Sequence, residues 1–175
     1  FKDMNGDGVI NEDDKTYSGT GIAKVEANLN LSASYKGFDF SAVIGSAFGN
    51  KIYNGIRYYY EGMNSASNFL SSSLDAWTPT HTNTSVPRAI YGDPNDNTRE
   101  STRFLENGDF VRLRQVQLGY TLPTSLTKKI YCDRIRFYVS AENVFTITGY
   151  SGANPEFSMG VLNSGIDRFT YPFSR

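Results

Sequence analysis

The segment from Asp3 to Asp14 reads DMNGDGVINEDD and has the spacing of a calcium-binding loop. It fits the pattern D-x-[DN]-x-[DN]-G-x5-E, with Asp in place of the final Glu. In such loops, oxygens at the first, third and fifth positions converge on a hard cation, a carbonyl contributes at the seventh, and the twelfth residue closes the shell. The predicted calcium ligands are Asp3, Asn5, Asp7, the Val9 carbonyl and Asp14.

Two interpretations of this loop stay open. Only two residues precede it, and Lys15 to Gly21 is typical of a turn, so the helices of a sensor EF-hand are missing. A bound calcium ion would therefore be structural rather than catalytic. The alternative is a turn rich in Asn, Asp and Gly that holds no metal, because these residues also favour turns on their own.

Three consecutive tyrosines, Tyr58, Tyr59 and Tyr60, form a second candidate site, with Tyr53 nearby. Aromatic rings can stack on sugar rings or contact a partner protein, so we consider these three as substrate-binding residues. The alternative is that their rings only pack the segment that contains them.

No group of residues predicts catalysis. His81 lies in a stretch rich in Thr and Asn without a triad around it, Cys132 has no partner, and the carboxylates form no convincing acid and base pair. With 17 Lys and Arg against 18 Asp and Glu, the net charge is -1. The sequence therefore predicts neither an enzyme nor a nucleic-acid-binding protein.

The clearest structural pattern is a strand alternation that begins at Val25. Odd-numbered residues are apolar or aromatic through Tyr35. After Lys36-Gly37 the apolar residues are even-numbered, namely Phe38, Phe40, Ala42, Ile44 and Phe48. A two-residue turn that pairs Tyr35 with Phe38 makes odd residues oppose even ones. The change of parity therefore predicts a hairpin over residues 25–48 with one apolar and one polar face.

A second hairpin is predicted over residues 109–147. Its first strand changes phase, since Val111 and Leu113 are out of register with Val116 and the apolar residues after it. A β-bulge near Arg114 and Gln115 would restore one apolar face. We expect arginines on the polar face or at its rim to pair with carboxylates such as Glu142; these are Arg112, Arg114, Arg134 and Arg136.

The lengths of these strands favour a membrane wall. Each strand of the first hairpin covers about eleven residues, which matches the roughly 9–11 residues that a tilted strand needs to cross a bilayer. No run of about 18 apolar residues predicts a membrane helix, but alternating strands escape that criterion. The alternative is a soluble β-sandwich whose second sheet covers the apolar face.

The connections alternate between short and long, as they do in outer-membrane barrels. We predict extracellular loops at residues 1–24, which contain the calcium-like motif, at 49–108, and at 148–175, which also begin a further strand near Phe169. All belong to one partial barrel domain. Bacterial barrels begin at about eight strands, so four strands predict part of a longer polypeptide.

Several sequence blocks together resemble the C-terminal part of the SusC/RagA family of TonB-dependent outer-membrane transporters. In chain order they are Asp3–Ile10 (DMNGDGVI), Ser34–Phe40 (SYKGFDF), Trp77–Pro79 with Val86–Arg88, Arg103–Leu113 (RFLENGDFVRL), Leu118–Pro123 (LGYTLP), Ile135–Ile147 (IRFYVSAENVFTI), Tyr150–Gly152, Asn154–Glu156, Gly165–Asp167 and Tyr171–Pro172. The resemblance covers nearly the whole chain and rests on the order and spacing of the blocks.

The resemblance implies an all-β fold, an antiparallel transmembrane barrel of about 22 strands that encloses a plug. It implies a nutrient importer for oligosaccharides or peptides, with outer-membrane lipid around it, a SusD-like surface lipoprotein above it, and TonB engaged through an N-terminal part. The alternative function is a secreted, calcium-stabilised β-module that binds a glycan or a partner protein.

Overall fold

The computed structural model describes residues 1–62, 68–156 and 164–168. The strands and helices are β1 Val25–Tyr35, β2 Phe38–Phe48, β3 Lys51–Asn54, α1 Gly55–Glu61, β4 Leu105–Asn107, β5 Phe110–Thr121, α2 Thr124–Thr127, β6 Arg136–Thr148 and β7 Ile166–Asp167. The long strands form one antiparallel four-stranded sheet in the order β1-β2-β5-β6, and a small second sheet has the order β4-β3-β7. None of the helices in these three stretches combines the length and hydrophobicity that a membrane crossing requires.

The first hairpin forms with the register that the sequence predicts. Val25 opposes Phe48, Leu31 opposes Ala42, and Tyr35 opposes Phe38. The two turn residues have positive φ angles, 47° at Lys36 and 89° at Gly37. This turn conformation matches the twist of the two strands, and glycine at the second position adopts it without steric cost.

The predicted bulge is present in β5. Val43 of β2 opposes Gln115, whereas Ile44 opposes Leu113, so Arg114 is the extra residue. Strand β6 has an irregularity at the same level, because Leu113 opposes Phe145 and Gln115 opposes Glu142. Asn143 lies within it and has a φ of 49°, a conformation that Asn tolerates better than most residues. The two irregularities together keep the apolar side chains of all four strands on one face.

The apolar face of the four-stranded sheet is exposed. Leu29 is 53% exposed and Phe137 is 64% exposed. Among the described strands and helices, these four strands make extensive contacts only with one another. The structure therefore shows no second sheet over this face within the described ranges, which differs from the sandwich alternative. The other large side chains that are exposed here include Val25, Leu31, Phe38, Phe40, Phe48, Leu118, Val139, Phe145 and Ile147.

The small sheet continues the large one at one end, which we call the cap end. Two residues separate β2 from β3 and two separate β4 from β5, and β3 pairs with β4 as β2 pairs with β5. Across this joint the backbone N–H of Gly49 donates to Asp109 Oδ1 at 2.6 Å, and that of Gly108 donates to the Asn50 carbonyl at 3.0 Å. The opposite end, with the Lys36-Gly37 turn, is the turn end.

The buried core lies at the cap end rather than under the large sheet. Ile52 of β3 and Phe104 are almost fully buried, and Tyr150 joins them. Helix α1 begins against β7, because a Cβ on Gly55 would lie 2.3 Å from the Asp167 carbonyl oxygen. A glycine is therefore needed where the helix starts. The 49–108 connection, which has little periodicity in the sequence, thus contains two strands, a helix and the main core.

The further strand predicted near Phe169 lies outside the described residues, and β7 is a two-residue strand of the small sheet that pairs in parallel with β3. The connection from β5 to β6, which the sequence predicts as a short one, holds the single-turn helix α2.

Replacing Phe104 by Ala tests the position of the core. Phe104 has no exposed surface, and truncating a buried Phe to Ala typically costs about 3–5 kcal/mol. We expect hydrogen exchange at the β3 and β4 amides to accelerate accordingly, while Leu74→Ala, at a side chain that is 91% exposed, leaves it unchanged. Equal exchange in the two variants would contradict a core at the cap end.

Candidate functional site

The polar face of the large sheet carries a clamp of two arginines near the cap end. Arg112 donates from Nε to Thr146 Oγ1 at 2.8 Å and from Nη1 to Glu156 Oε2 at 2.9 Å, and it also bonds the Asn154 side chain. Arg114 donates to the other oxygen of Glu156 at 2.7 Å. The clamp holds the Asn154-Pro-Glu156 segment, which follows β6, against the wall formed by β5.

Three of the four arginines pair with carboxylates, as expected, but the ion pairs of the described residues include neither Arg134 nor Glu142. Glu156 serves Arg112 and Arg114, and Asp39 serves Arg136, whose Nε lies 3.0 Å from Asp39 Oδ1. Gly119 makes room for this second pair, because a Cβ there would lie 2.5 Å from Asp39 Oδ2. Alternation predicts which face an arginine occupies, whereas its partner depends on where a distant segment returns.

Glu106 of β4 is the centre of a hydrogen-bond network in the cap. Its carboxylate accepts from the Ser151 N–H at 2.8 Å, from Asn54 Nδ2 at 3.1 Å and from Arg57 Nη1 at 3.0 Å. Burial by itself raises the pKa of Glu106, but these donors outweigh it and hold the pKa below its ordinary value. The network connects β3, β4, α1 and the segment after β6.

Glu61 at the end of α1 forms a second ionic centre. Arg57 and Arg103 donate to its Oε2 at 2.9 and 3.1 Å, and the Ser72 hydroxyl donates to Oε1 at 2.7 Å. Glu61 is nearly fully buried. Burial acts to raise its pKa, yet the arginine and serine donors leave the pKa below the ordinary value. The carboxylate is therefore ionised and paired inside the cap.

Tyr150 ties the segment after β6 to β7. Its hydroxyl donates to Asp167 Oδ2 at 2.6 Å, and both side chains are buried. Burial, followed by the bond to Asp167, raises the pKa of Tyr150. The segment from Tyr150 to Glu156 is thus fixed to the cap at its start and to the wall of the large sheet at its end.

The three predicted substrate-binding tyrosines all lie on α1, where successive residues point about 100° apart. The Tyr58 ring packs edge-on against Phe104 with the ring centroids 5.4 Å apart, and against Tyr59 at 5.3 Å. Tyr59 is 54% exposed, whereas Tyr58 and Tyr60 are partly buried. The three rings therefore do not form one continuous stacking surface, and a role in substrate binding stays a prediction, with Tyr59 the most exposed of them.

The predicted calcium loop is folded around its own carboxylates. Asp3 accepts from the Gly6 N–H at 2.6 Å and the Gly8 N–H at 2.8 Å, and Asp7 accepts from the Val9 N–H at 2.8 Å. Asp14 accepts from the Met4 and Asn11 N–H groups. The backbone donors of Asn11 and Met4 lower the pKa of Asp14. Asp14 thus joins the start of the loop to its end.

These hydrogen bonds leave metal-binding capacity, because each ionised carboxylate has about four lone-pair sites. Within the described part of the chain, no group of three or more His, Cys, Asp or Glu side chains is placed to hold a metal ion. The predicted ligands also include the Asn5 amide and the Val9 carbonyl, so calcium binding stays a prediction.

His81 lies in an exposed turn with its Nε2 atom 2.7 Å from Asp75 Oδ1.

A polar cleft of about 240 Å³ lies beside the clamp, on the polar face of the sheet. Its walls include Glu26 and Asn28 of β1, Arg114 of β5, and Pro155 and Glu156 of the clamped segment. Donors and acceptors both face this space, so its chemistry suits a polar, hydrogen-bonding ligand. The sequence does not predict the cleft, because its walls come from segments that are far apart in the chain.

Comparisons with known proteins identify the class of the chain. It is 32% identical over 179 residues to TonB-dependent receptor P3 of Formosa agariphila, with 98% of the chain and 17% of that protein covered. It is 33% identical to TonB-dependent receptor P39 of the same organism over 98% of the chain and 17% of that protein. The chain is therefore homologous to part of the TonB-dependent receptors and spans about one sixth of their length. No protein-family model matches it.

Within this class, the resemblance to the SusC/RagA transporters is confirmed. The chain is 29% identical over 173 residues to TonB-dependent receptor SusC of Bacteroides thetaiotaomicron, with 98% of the chain and 16% of that protein covered. The solved structure of the RagAB peptide transporter matches 94% of this chain and 18% of its own, with a TM-score of 0.78 and 28% identity. The RagAB peptide importer in the closed-closed state covers 95% of this chain and 19% of its own, with a TM-score of 0.73 and 27% identity.

Calorimetric titration of the intact protein tests the calcium prediction. We expect calcium to release or absorb binding heat with the wild type and with Asp13→Ala, an acidic residue of the same loop outside the predicted ligand set. The double variant Asp3→Ala, Asp7→Ala should give no such heat, because two of the ligands are removed. Identical titrations of all three proteins would contradict the predicted site.

Acidification tests the two paired carboxylates of the cap. The pKa values of Glu61 and Glu106 lie below the ordinary 4.5, so their ionised forms stabilise the fold. This contribution is complete above about pH 4.5 and is lost as the pH falls through the lowered values. We expect the thermal midpoint of the cap to fall over this range, and to fall less in Glu106→Gln. The exposed control Glu100→Gln should follow the wild type; a loss of the pH dependence in this control would refute the assignment.

Proposed function

We propose that this chain forms part of the wall and mouth of a TonB-dependent outer-membrane importer, and that the whole protein takes up oligosaccharides or peptides. The observation that carries this proposal is the two-sided sheet: an exposed apolar face across four strands, and an opposite face with charged clamps and a polar cleft. Homology to TonB-dependent receptors supports it independently.

In this proposal the apolar face contacts outer-membrane lipid. The four strands contain 11 to 13 residues each, long enough for tilted strands of about 9–11 residues to span the hydrocarbon region. The two outer strands, β1 and β6, have free edges among the described residues. They would pair with further strands of the parent protein, in a closed barrel of about 22 strands around a plug.

The polar face lines the channel in this proposal, and the cap end faces the outside of the cell. The Arg112 and Arg114 clamp fixes the segment after β6 to the channel wall. Because that segment forms one wall of the polar cleft, the clamp holds this wall in position. The cleft and the exposed ring of Tyr59 are the places at which we propose contact with an oligosaccharide or peptide.

The partners follow from the same class. We propose that a SusD-like surface lipoprotein covers the cap end and that TonB acts through another part of the parent protein. We further propose that calcium in the loop at residues 3–14 rigidifies the start of the chain, because its ligands come from both ends of that loop. We propose transport without covalent catalysis.

A secreted β-module that binds a glycan or a protein is the second candidate. Its two supports are the calcium-like loop and the polar cleft, which would serve a secreted protein equally well. The exposed apolar face favours the importer, because soluble monomers rarely expose a continuous apolar surface of this kind.

Charge placed on either face of β1 distinguishes the two candidates. Leu31→Lys puts a cation on the apolar face and should cost about 2–4 kcal/mol near the bilayer midplane, whereas Asn30→Lys points to the other face and should cost little. We expect only the first to prevent outer-membrane assembly, measured as the heat-modifiable band in membrane fractions. Normal assembly of Leu31→Lys, or a wild-type protein that folds without detergent, would exclude the membrane wall.

A further inference from the structure

The turn end of the large sheet contains a groove of about 300 Å³. Its walls are the β1–β2 turn with Lys36, the neighbouring residues Tyr35 and Phe38, and Thr121 and Arg134 from either end of the β5 to β6 connection. The Thr121 N–H donates to the Gly37 carbonyl at 2.7 Å, which fixes the turn to β5. The groove lies between two connections at the turn end of the described sheet.

Two cations of this groove have no paired carboxylate. Asp39 is the acidic residue that lines it, and Arg136 already binds Asp39 through Nε and a second guanidinium nitrogen. Within the described ranges, Lys36 and Arg134 form no ion pair, and both side chains are exposed. The groove is therefore positively charged and complementary to an anion.

The groove also opens beside the apolar face. Phe38 lines it and packs against Tyr120, with the ring centroids 4.5 Å apart, and Phe38 is itself an exposed member of that face. The Lys36 Nζ atom lies 5.2 Å from the centre of the Tyr35 ring, which keeps the ammonium at the border of the apolar surface. An occupant that satisfies both features needs an anionic head group and an apolar body.

We propose that this groove binds the phosphate group of an anionic phospholipid, whose acyl chains lie along Phe38 and Tyr120. The Arg134 guanidinium presents a planar fork that matches two phosphate oxygens, and the Lys36 ammonium adds a point charge. A soluble anion would leave the aromatic surface unused, which is why we commit to a lipid. The proposal rests on the proposed function, since it needs the apolar face to lie in a membrane.

Titration of the detergent-purified, intact transporter with fluorescent phosphatidylglycerol tests the site, with phosphatidylcholine as the neutral lipid. A lysine or arginine near a membrane surface contributes enough attraction that removing one lowers the affinity for an anionic lipid about fivefold. We expect Lys36→Gln and Arg134→Gln each to weaken phosphatidylglycerol binding by about that factor, and to leave phosphatidylcholine binding unchanged.

The matched control removes the same charge from the same end of the sheet outside the groove. Lys128 and Lys129 lie in the β5 to β6 connection but do not line the groove, so the controls are Lys128→Gln and Lys129→Gln. Unchanged phosphatidylglycerol binding in these controls supports the site. A loss as large as in the groove variants would overturn it, because binding would then follow the total charge of the turn end.

Two further outcomes separate this proposal from its premise. Competition by millimolar inorganic phosphate, with no preference for lipid, would show a site for soluble anions and overturn the lipid assignment. Groove variants that assemble in the membrane and bind phosphatidylglycerol like the wild type would refute the lipid site alone. Failure of the premise would instead appear in the Leu31→Lys experiment, which leaves this groove intact.

Discussion

The alternation of side chains across the four-stranded sheet is the constraint on which the rest of the structure depends. A slip of one residue in any strand would turn its apolar side chains to the opposite face. The extra residue Arg114 in β5 is therefore accompanied by an irregularity at Asn143 in β6, and the ladders resume in phase on both sides. The pair of irregularities keeps an apolar surface continuous from Val25 to Ile147. A surface of that kind is stable only in contact with something apolar.

The region of the β5 bulge also carries the ion pairs of the polar face. Arg112 and Arg114 lie at the bulge and hold Glu156, which brings the segment after β6 down against the wall. The other end of that segment is fixed in the cap through Ser151 and Tyr150. A ligand that enters the polar cleft would therefore meet a wall whose position is set by ionic bonds on one side and by the cap on the other.

The sheet and the cap are stabilised in different ways. The cap has a buried core around Ile52 and Phe104 together with paired carboxylates at Glu61 and Glu106. The large sheet is a single layer held by its ladders, so the apolar side chains that would form a core in a soluble protein are exposed. Folding of the cap relies on burial within the chain, whereas the large sheet needs an apolar surrounding. This difference supports the proposal that the sheet assembles in a membrane.

The sequence alone determined the two hairpins, the register of the first and the position of the bulge, because alternation and turn chemistry act over neighbouring residues and leave a direct pattern. It also indicated the transporter class through ordered blocks. Only the tertiary structure decided that the 49–108 connection folds into a cap, that Glu156 rather than Glu142 pairs with the arginines, and that Tyr58 packs on Phe104. These contacts join residues 42 to 46 positions apart or lie in segments without periodicity. Their partners depend on where the chain returns in space, which no local pattern records.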